Sequence, residues 1–315
     1  MLTLLLLSSV LVSFSVCIHS QIKHYPNVTL DTCGIGRQSL LTTTGNCLKW
    51  SSNESMDIQN GRPAKPGELP WIVYIEVHIK LSISTLWLKK LSFRGTGTIL
   101  NKRWIITCAH LLDNDEIESI AVYPAILDKR HKGRPYKVAT HLLYPSYGQS
   151  SYDYDIGLIK LDEDLPIQTP DTPQSWLPMN GICLPDIGVV NNDKELALLS
   201  GFGYLDDDIP NDDFVRIGWT QIMPLMYNST DREGLFIIAY RFPMDTGAAT
   251  CKGDSGGPLI QFVSGRAVLI GINILVQLNK TLKYPTCLAK QSDYWMTFIR
   301  VSNIIDWIST TAIDN

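Results

Sequence analysis

The hexapeptide Gly253–Pro258, Gly-Asp-Ser-Gly-Gly-Pro, places one serine among glycines and constrains this chain more than any other segment. A serine hydroxyl is a poor nucleophile at neutral pH, so it requires a base to accept its proton and donors to stabilise the oxyanion that forms. Glycines let backbone N–H groups crowd around a reacting carbonyl, which a Cβ would hinder. The alternative is a glycine-serine turn without chemistry, and the rest of the sequence decides between the two.

Two upstream segments supply the residues that such a serine needs. In Trp104–His110 an apolar strand runs into a histidine, where a general base is held rigidly. In Asp155–Leu161 an aspartate leads into an alternating apolar strand. Either residue alone is usually structural. Together, His110, Asp155 and Ser255 follow the chain order of the chymotrypsin type, which differs from that of subtilisins and α/β-hydrolases.

The chain resembles the trypsin/chymotrypsin family of serine peptidases from about Ile58 to Ile308. Besides the serine hexapeptide, Ile58–Gly61 followed by Pro70–Trp71 is similar to the family's mature N-terminus. Near the end, Arg300–Ser302 leads to Asp306–Ile308 as in the family. The resemblance implies an all-β fold of two six-stranded antiparallel β-barrels of the chymotrypsin type, with a C-terminal helix and the triad in the cleft between the barrels.

The same resemblance implies a role for each residue of the triad. Ser255 is the nucleophile, His110 is the general base and then the acid, and Asp155 orients the His110 ring. The backbone N–H groups of Gly253 and Ser255 form the oxyanion hole. The reaction is acyl transfer to Ser255 followed by hydrolysis of the acyl-enzyme, with no metal and no organic cofactor. The expected partners are protein or peptide substrates, an activating protease and inhibitors.

Activation by cleavage is also implied by the resemblance, through Asp254 and Ile58. In the family, this aspartate pairs with the α-amino group that cleavage frees on the mature first residue, here Ile58. The bond to be cut is therefore Asp57–Ile58. The family usually has Arg or Lys before this bond, but residues 51–57 contain no basic residue. Either an acid-directed or other protease cuts the bond, or the bond is not cut.

Four residues line the primary specificity pocket by this resemblance: Ala249 and Thr250 at its base, Val276 and Met296 at its walls. Because Ala249 carries no charge, the pocket is not expected to select Arg or Lys. Many relatives have glycines at the wall positions, so bulk there predicts a shallow pocket that prefers small or apolar side chains.

Ile274 departs from the family, which has a serine there that donates a hydrogen bond to the triad aspartate. Without that donor the charged form of Asp155 is less favoured, so activity is expected to be narrow or weak. Two functions therefore follow from the sequence. One is a serine endopeptidase; the other is a catalytically weak or inactive protease-like binding or regulatory protein.

The N-terminus predicts secretion. Leu2–Ile18 is almost wholly apolar, which favours a signal peptide over residues 1–20, with a retained membrane anchor as the alternative. A polar propeptide or light chain follows over 21–57, and the peptidase domain occupies 58–315. Four N-x-S/T sequons predict glycosylation in an extracellular protein, at Asn27, Asn53, Asn228 and Asn279.

Charge and hydropathy exclude two classes of partner. The formal net charge is −4, and no basic run of nucleic-acid type occurs. No second apolar run is long enough to span a bilayer. We therefore expect no nucleic-acid partner and no membrane span after the signal is removed.

The seven cysteines become six if Cys17 leaves with the signal, and an even number in a secreted chain indicates three disulfides. By the family resemblance, Cys251 pairs with Cys287 across the specificity pocket. Cys33 and Cys183 match the family bond that tethers a propeptide to the protease domain, so the segment before Ile58 is expected to stay attached after cleavage.

Two cysteines remain, Cys47 and Cys108. A bond between them would bring the propeptide close to the active site, and we favour it because exposed free thiols are uncommon in secreted proteins. The alternative is two unpaired thiols, with Cys108 buried under its strand. The family bridge that usually flanks the catalytic histidine is absent here, and its two positions fall at Gly95 and Leu111.

Overall fold

The computed structural model describes most of the chain from residue 57 onward and short stretches before it. The described residues are 14–17, 22–25, 28–36, 47–50, 57–80, 90–148, 153–167, 179–187, 195–205, 213–223, 234–241, 247–278 and 294–313. Strands dominate these segments, and a short helix lies near their C-terminal end. Among the described residues, no helix has the length and apolar character that crossing a membrane requires.

Four strands precede the main body: β1 (Phe14–Cys17), β2 (Ile22–Lys23), β3 (Cys47–Trp50) and β4 (Asp57–Pro63). β1 and β3 pair antiparallel, and their register places Cys17 opposite Cys47.

The first barrel is an antiparallel sheet in the order β8-β5-β6-β7-β10-β9. Its closure is marked by the Tyr136 N–H, which donates to the carbonyl oxygen of Val122 at 2.8 Å. The strands are β5 (Ile72–Lys80), β6 (Lys90–Ile99), β7 (Trp104–Thr107), β8 (Ile117–Pro124), β9 (Val138–Leu143) and β10 (Gly157–Leu161).

The second barrel follows the short strand β11 (Leu184–Pro185) and has the order β12-β15-β16-β17-β14-β13. Pairing of β12 with β13 closes it, and β4 adds to the outer edge of β13. The predicted fold of two six-stranded antiparallel barrels is thus confirmed. The strands are β12 (Leu196–Gly201), β13 (Arg216–Ile222), β14 (Phe236–Arg241), β15 (Pro258–Val263), β16 (Arg266–Leu278) and β17 (Tyr294–Arg300).

One apolar core runs through both barrels. Ile106 and Leu158 from the first barrel belong to the same buried cluster as Ile272 and Ile299 from the second. Each of these side chains is fully buried, and burying a residue of this size contributes about 1.5–3 kcal/mol. The shared core fixes the two barrels against each other, and with them the loops that carry the candidate site.

The described parts of the N-terminal segment, residues 22–25 and 28–36, pack on the main body rather than forming a core of their own. β2 pairs with β11, and a disulfide joins Cys33 to Cys183 just before β11. Val28 is only 1% exposed and belongs to the main core.

The predicted C-terminal helix is α1 (Ile305–Thr311). Its end docks on the first barrel through Asn101, which is buried and whose Nδ2 donates to the carbonyl oxygen of Ala312 at 2.9 Å. The Trp104 indole N–H donates to the carbonyl oxygen of Ile313 at 3.0 Å. The helix therefore anchors the strand that precedes His110.

Candidate active site

Two neighbouring strands bring His110 and Asp155 together. β7 ends at Thr107, three residues before His110, and β10 begins at Gly157, two residues after Asp155. The antiparallel register places Gly157 directly opposite Thr107. Because the end of one strand and the start of the other lie at the same edge of the sheet, the two polar residues meet there.

Asp155 holds His110 through two hydrogen bonds. The backbone N–H of His110 donates to Asp155 Oδ1 at 2.8 Å, and ring Nδ1 lies 2.6 Å from Asp155 Oδ2. The Asp155 side chain is fully buried, whereas 35% of the His110 side chain is exposed. The carboxylate thus fixes the ring from inside the protein, while part of the His110 side chain stays exposed.

The loop that carries Ser255 packs against β6 and against the end of β7, the strand that leads to His110. From β6, the Thr96 N–H donates to the carbonyl oxygen of Ser255 at 2.9 Å. Gly256 has a φ of +80°, and a Cβ built there would lie 2.0 Å from Thr107 Oγ1 and 2.9 Å from the Cys108 nitrogen. Only glycine allows this approach, so the second glycine of the hexapeptide holds Ser255 against the His110 strand.

The backbone N–H groups of Gly253 and Ser255 lie in the loop that carries the candidate nucleophile. Gly253 has a φ of +93°, and its carbonyl oxygen accepts a hydrogen bond from Thr96 Oγ1 at 3.1 Å. Within the described segments, neither the Gly253 N–H nor the Ser255 N–H donates to a protein acceptor. These are the two donors that the sequence predicts for an oxyanion hole. Thr96, which orients the loop, was not foreseen because no motif marks it.

Asp254 points away from this surface into a closed site. Its side chain accepts from the Gly203 N–H at 2.7 Å and from the Cys251 N–H at 2.8 Å. Burial raises the pKa of this carboxyl to about 7, although the two backbone hydrogen bonds and Lys129 lower it. Among the described residues, no cation lies within ion-pair distance of Asp254. The backbone of Ile58 lies in β4, and its side chain lies outside the description.

Cys108 contacts the outer nitrogen of the candidate base. Its Sγ lies 3.6 Å from His110 Nε2, and it is a free, buried cysteine. Burial lowers the pKa of His110, but the electrostatic effect of Cys108 and the hydrogen bond to Asp155 raise it more. Among the described residues no hydrogen bond joins Ser255 Oγ to His110, and such contacts often form only once substrate binds.

The predicted Cys47–Cys108 bond is wrong, because Cys108 is a free, buried cysteine whose Sγ contacts His110 Nε2. The backbone of Cys47 instead lies opposite that of Cys17, which the prediction assigned to the signal.

Of the other predicted disulfides, Cys33–Cys183 is present. Cys251 is disulfide-bonded, but Cys287, its predicted partner, lies outside the described residues. The sequons at Asn27, Asn53, Asn228 and Asn279 lie outside them as well.

The predicted specificity-pocket residues lie together in the second barrel. Ala249 and Met296 are fully buried, and the Thr250 N–H contacts Met296 Sδ at 3.3 Å. The backbone of Val276 pairs with Met296 across β16 and β17, while the Val276 side chain lies outside the description. Met296 thus packs directly on the residues at the predicted pocket base.

Tyr147 is a polar residue near the site that sequence reasoning missed. Burial raises its pKa to about 12, with further contributions from Asp155, Asp113 and Cys108. It lies in a loop before Asp155 with no motif around it, so only the fold shows that it is near the triad.

Two antiparallel barrels, with a buried aspartate holding a partly exposed histidine beside a glycine-flanked serine, define a chymotrypsin-type serine peptidase domain. The family model described as Trypsin matches residues 58–308, more than half of the chain, so the chain belongs to the trypsin family. Coagulation factor IX of Cavia porcellus is 27% identical over 243 residues, covering 70% of this chain and 73% of that protein. U21-ctenitoxin-Pn1a of Phoneutria nigriventer is 27% identical over 225 residues, covering 67% and 86% respectively.

Proposed function

We propose that this protein is a secreted serine endopeptidase that uses Ser255, His110 and Asp155 as its triad. The observation that carries the proposal is the buried Asp155, which holds His110 by two hydrogen bonds beside the loop that bears Ser255. Family membership supports the reaction class.

The proposed proton path starts from the Asp155 contact. With Nδ1–H donating to Asp155 Oδ2, Nε2, which contacts Cys108 Sγ in this structure, is the ring nitrogen that takes the proton of Ser255. Ser255 Oγ then attacks the scissile carbonyl, and the backbone N–H groups of Gly253 and Ser255 stabilise the oxyanion. His110 returns the proton to the leaving amine, and water releases the acyl group by the same route. Losing the aspartate of such a triad lowers turnover by about four orders of magnitude, and losing one oxyanion donor by about two to three.

Substrate preference follows from Met296. An uncharged pocket base at Ala249 offers no partner for Arg or Lys, and the buried Met296 side chain packs against Thr250. We infer a shallow pocket that accepts small or apolar side chains.

We infer that cleavage of the Asp57–Ile58 bond activates the protein. The buried carboxyl of Asp254 has no cation within ion-pair distance among the described residues, so a new α-amino group would supply the missing charge. That ion pair would stabilise the oxyanion loop, whose Gly253 precedes Asp254 directly.

The first test combines N-terminal sequencing of the secreted protein with a fluorophosphonate probe, which requires an activated serine and an oxyanion hole. We expect a chain that starts at Ile58 and is labelled at Ser255, with no labelling of a Ser255→Ala variant.

If the secreted chain is intact and unlabelled, an Asp57→Arg variant cut by trypsin separates an uncut precursor from an inactive protein. Asp57→Ala is the matched control, because trypsin does not cut after alanine. Labelling only of the cut Arg variant would support the peptidase. An Arg variant that is cut and stays unlabelled would overturn it and favour a protease-like binding or regulatory protein.

A further inference from the structure

Cys108 and His110 place a thiol sulfur beside an imidazole nitrogen at a distance that suits a shared metal ion. Cys108 Sγ lies 3.6 Å from His110 Nε2, and Cys108 forms no disulfide. Zn²⁺ binds thiolate sulfur at about 2.3 Å and imidazole nitrogen at about 2.0–2.1 Å, in tetrahedral geometry. Two such ligands on one ion lie roughly 3.5 Å apart. One ion between the two atoms would therefore need little movement of either side chain.

The remainder of the cluster has the features of an outer shell around such an ion. Metal-bound histidines usually donate their other ring N–H to a carboxylate, and His110 Nδ1 already contacts Asp155 at 2.6 Å. The ligand atoms of Cys108, His110 and Asp155 all lie within 4.8 Å of one another. A thiolate and a carboxylate together balance the charge of a divalent ion, which a buried site requires.

The donor set also indicates the class of metal. Sulfur and imidazole nitrogen favour zinc and other soft or borderline ions, whereas calcium and magnesium prefer oxygen. The His110 side chain is partly exposed, so an ion can reach its ring from the surface. Cys108 is fully buried. The Cys108 thiol can therefore bind an ion from the interior side of His110, whereas a substrate peptide cannot reach it.

We propose that Cys108 Sγ and His110 Nε2 bind a divalent cation of the Zn²⁺ class, with Asp155 as the outer-shell partner and with water or Ser255 Oγ completing the coordination. An ion on Nε2 occupies the lone pair that Ser255 needs, so the same site acts as a metal-controlled off switch. The switch rests on the proposed function, whereas the binding site does not.

The binding test uses Co²⁺ as a coloured substitute for Zn²⁺ on the full secreted chain. A cobalt–thiolate bond gives an intense near-ultraviolet charge-transfer band. We expect that band in the native chain and in Ser255→Ala, its loss in Cys108→Ala and Cys108→Ser, and its displacement by Zn²⁺. Thermal unfolding of the two cysteine variants checks that they are folded. A band that persists in both folded variants, or no band in the native chain at a large excess of Co²⁺, overturns the site.

The switch is tested by labelling Ser255 with fluorophosphonate with and without Zn²⁺, each variant being compared with its own metal-free rate. We expect a drop of about tenfold or more in the native chain, reversed by a chelator, and a ratio near one in Cys108→Ala. A cobalt band without labelling under any condition would leave the site standing and defeat the peptidase proposal. Labelling that Zn²⁺ does not affect, with no cobalt band, would defeat the site alone.

Discussion

Asp254 shows how one buried carboxyl can couple the activation state of the chain to its stability. Gly201 and Gly203 make room for it, since a Cβ at Gly201 would lie 2.1 Å from Asp254 Oδ1. The site thus has space for the carboxyl and two N–H donors, Gly203 and Cys251, and among the described residues Lys129 acts on the carboxyl only from beyond ion-pair distance. In the uncut chain, burial therefore favours the protonated form of the Asp254 carboxyl below about pH 7.

The first prediction is that the uncut chain loses stability as pH rises from about 4 to about 7. Burial raises the pKa of Asp254 from 3.8 to about 7, so in this range the folded state binds more protons than the unfolded state. The contribution of Asp254 to the free energy of unfolding then falls as pH rises, by on the order of 1 kcal/mol per pH unit. Chemical denaturation of uncut protein across that range measures the slope.

Comparing variants tests whether Asp254 causes this pH dependence of the free energy of unfolding. Asp254→Asn should flatten the pH dependence of stability, even if the variant is less stable overall. Asp115→Asn, at an exposed position, should leave the pH dependence unchanged. An equal slope in the native chain and Asp254→Asn would contradict the argument.

Met296 carries the second prediction, which concerns selectivity. Met296→Ala removes a buried side chain next to Thr250, so larger substrate side chains should enter the pocket. Competition between phosphonate probes with valine and phenylalanine side chains should shift toward phenylalanine by about tenfold or more. The variant should lose about 2–5 kcal/mol of stability. Met296→Leu retains most of the volume and is the control; equal selectivity in both variants would place the pocket elsewhere.

At the scale of elements, β6 approaches the loop after β7 at Gly95. A Cβ built on Gly95 would lie 2.4 Å from Leu111 Cδ2, so the two positions are adjacent, as the missing family bridge suggests.

The third prediction is that Gly95→Cys combined with Leu111→Cys forms a disulfide. Closing a loop of about 15 residues stabilises a protein by about 3 kcal/mol. Peptide mapping should find the new bond, and denaturation with and without reductant should show the gain. The paired serine variant at both positions cannot form the bond and is the control. A bond from either new cysteine to Cys108 would show that the loop is placed differently.

Asn101 joins three elements at one point. Its Nδ2 donates to the carbonyl oxygens of Val28 and Ala312, at 3.1 and 2.9 Å. Its Oδ1 accepts from the backbone N–H groups of Arg103 and Trp104, at 3.1 and 3.0 Å. The N-terminal segment, the turn before β7 and the end of α1 therefore depend on one amide.

The fourth prediction is that Asn101→Ala lowers the free energy of unfolding by about 3 kcal/mol, because buried carbonyl and N–H groups lose their partners. Asn114→Ala is the control, since the exposed Asn114 side chain accepts a hydrogen bond from the Glu116 N–H and buries no partner. Urea denaturation compares the two. A loss no larger than that of Asn114→Ala would mean that water replaces the amide without cost.

Sequence alone predicts the elements better than the side-chain directions within them. The adjacency of His110 and Asp155 follows from short motifs at strand ends, because register fixes which ends meet. The contact of Cys108 with His110 Nε2 could not be predicted, since it depends on which way one side chain turns beneath a strand. For the same reason the Cys47–Cys108 prediction failed, and the packing of Met296 on Thr250 required the register of β16 and β17.

At the scale of the whole molecule, the N-terminal segment is fastened to the second barrel by more than the Cys33–Cys183 bond. Arg266 Nη1 donates to the carbonyl oxygens of Asp31 and Cys33, at 2.8 and 3.1 Å. Tyr25 Oη donates to the carbonyl oxygen of Pro185 at 2.9 Å. The N-terminal partners in these contacts all lie before the Asp57–Ile58 bond. Cleavage of that bond therefore leaves the contacts intact.

The fifth prediction is that cleavage of an Asp57→Arg variant yields two chains that stay together. Without reductant the product should run as one species, and with reductant under denaturing conditions a separate N-terminal fragment should appear. In a Cys33→Ser, Cys183→Ser double variant, the buried Val28 and the Arg266 hydrogen bonds should still retain the fragment during native gel filtration. Denaturant should then release it without reductant. If the fragment of the cut disulfide-containing protein is lost without reductant, the segment is not tethered by this bond. If the double variant loses it under native conditions, the disulfide and not the packing holds the two chains together.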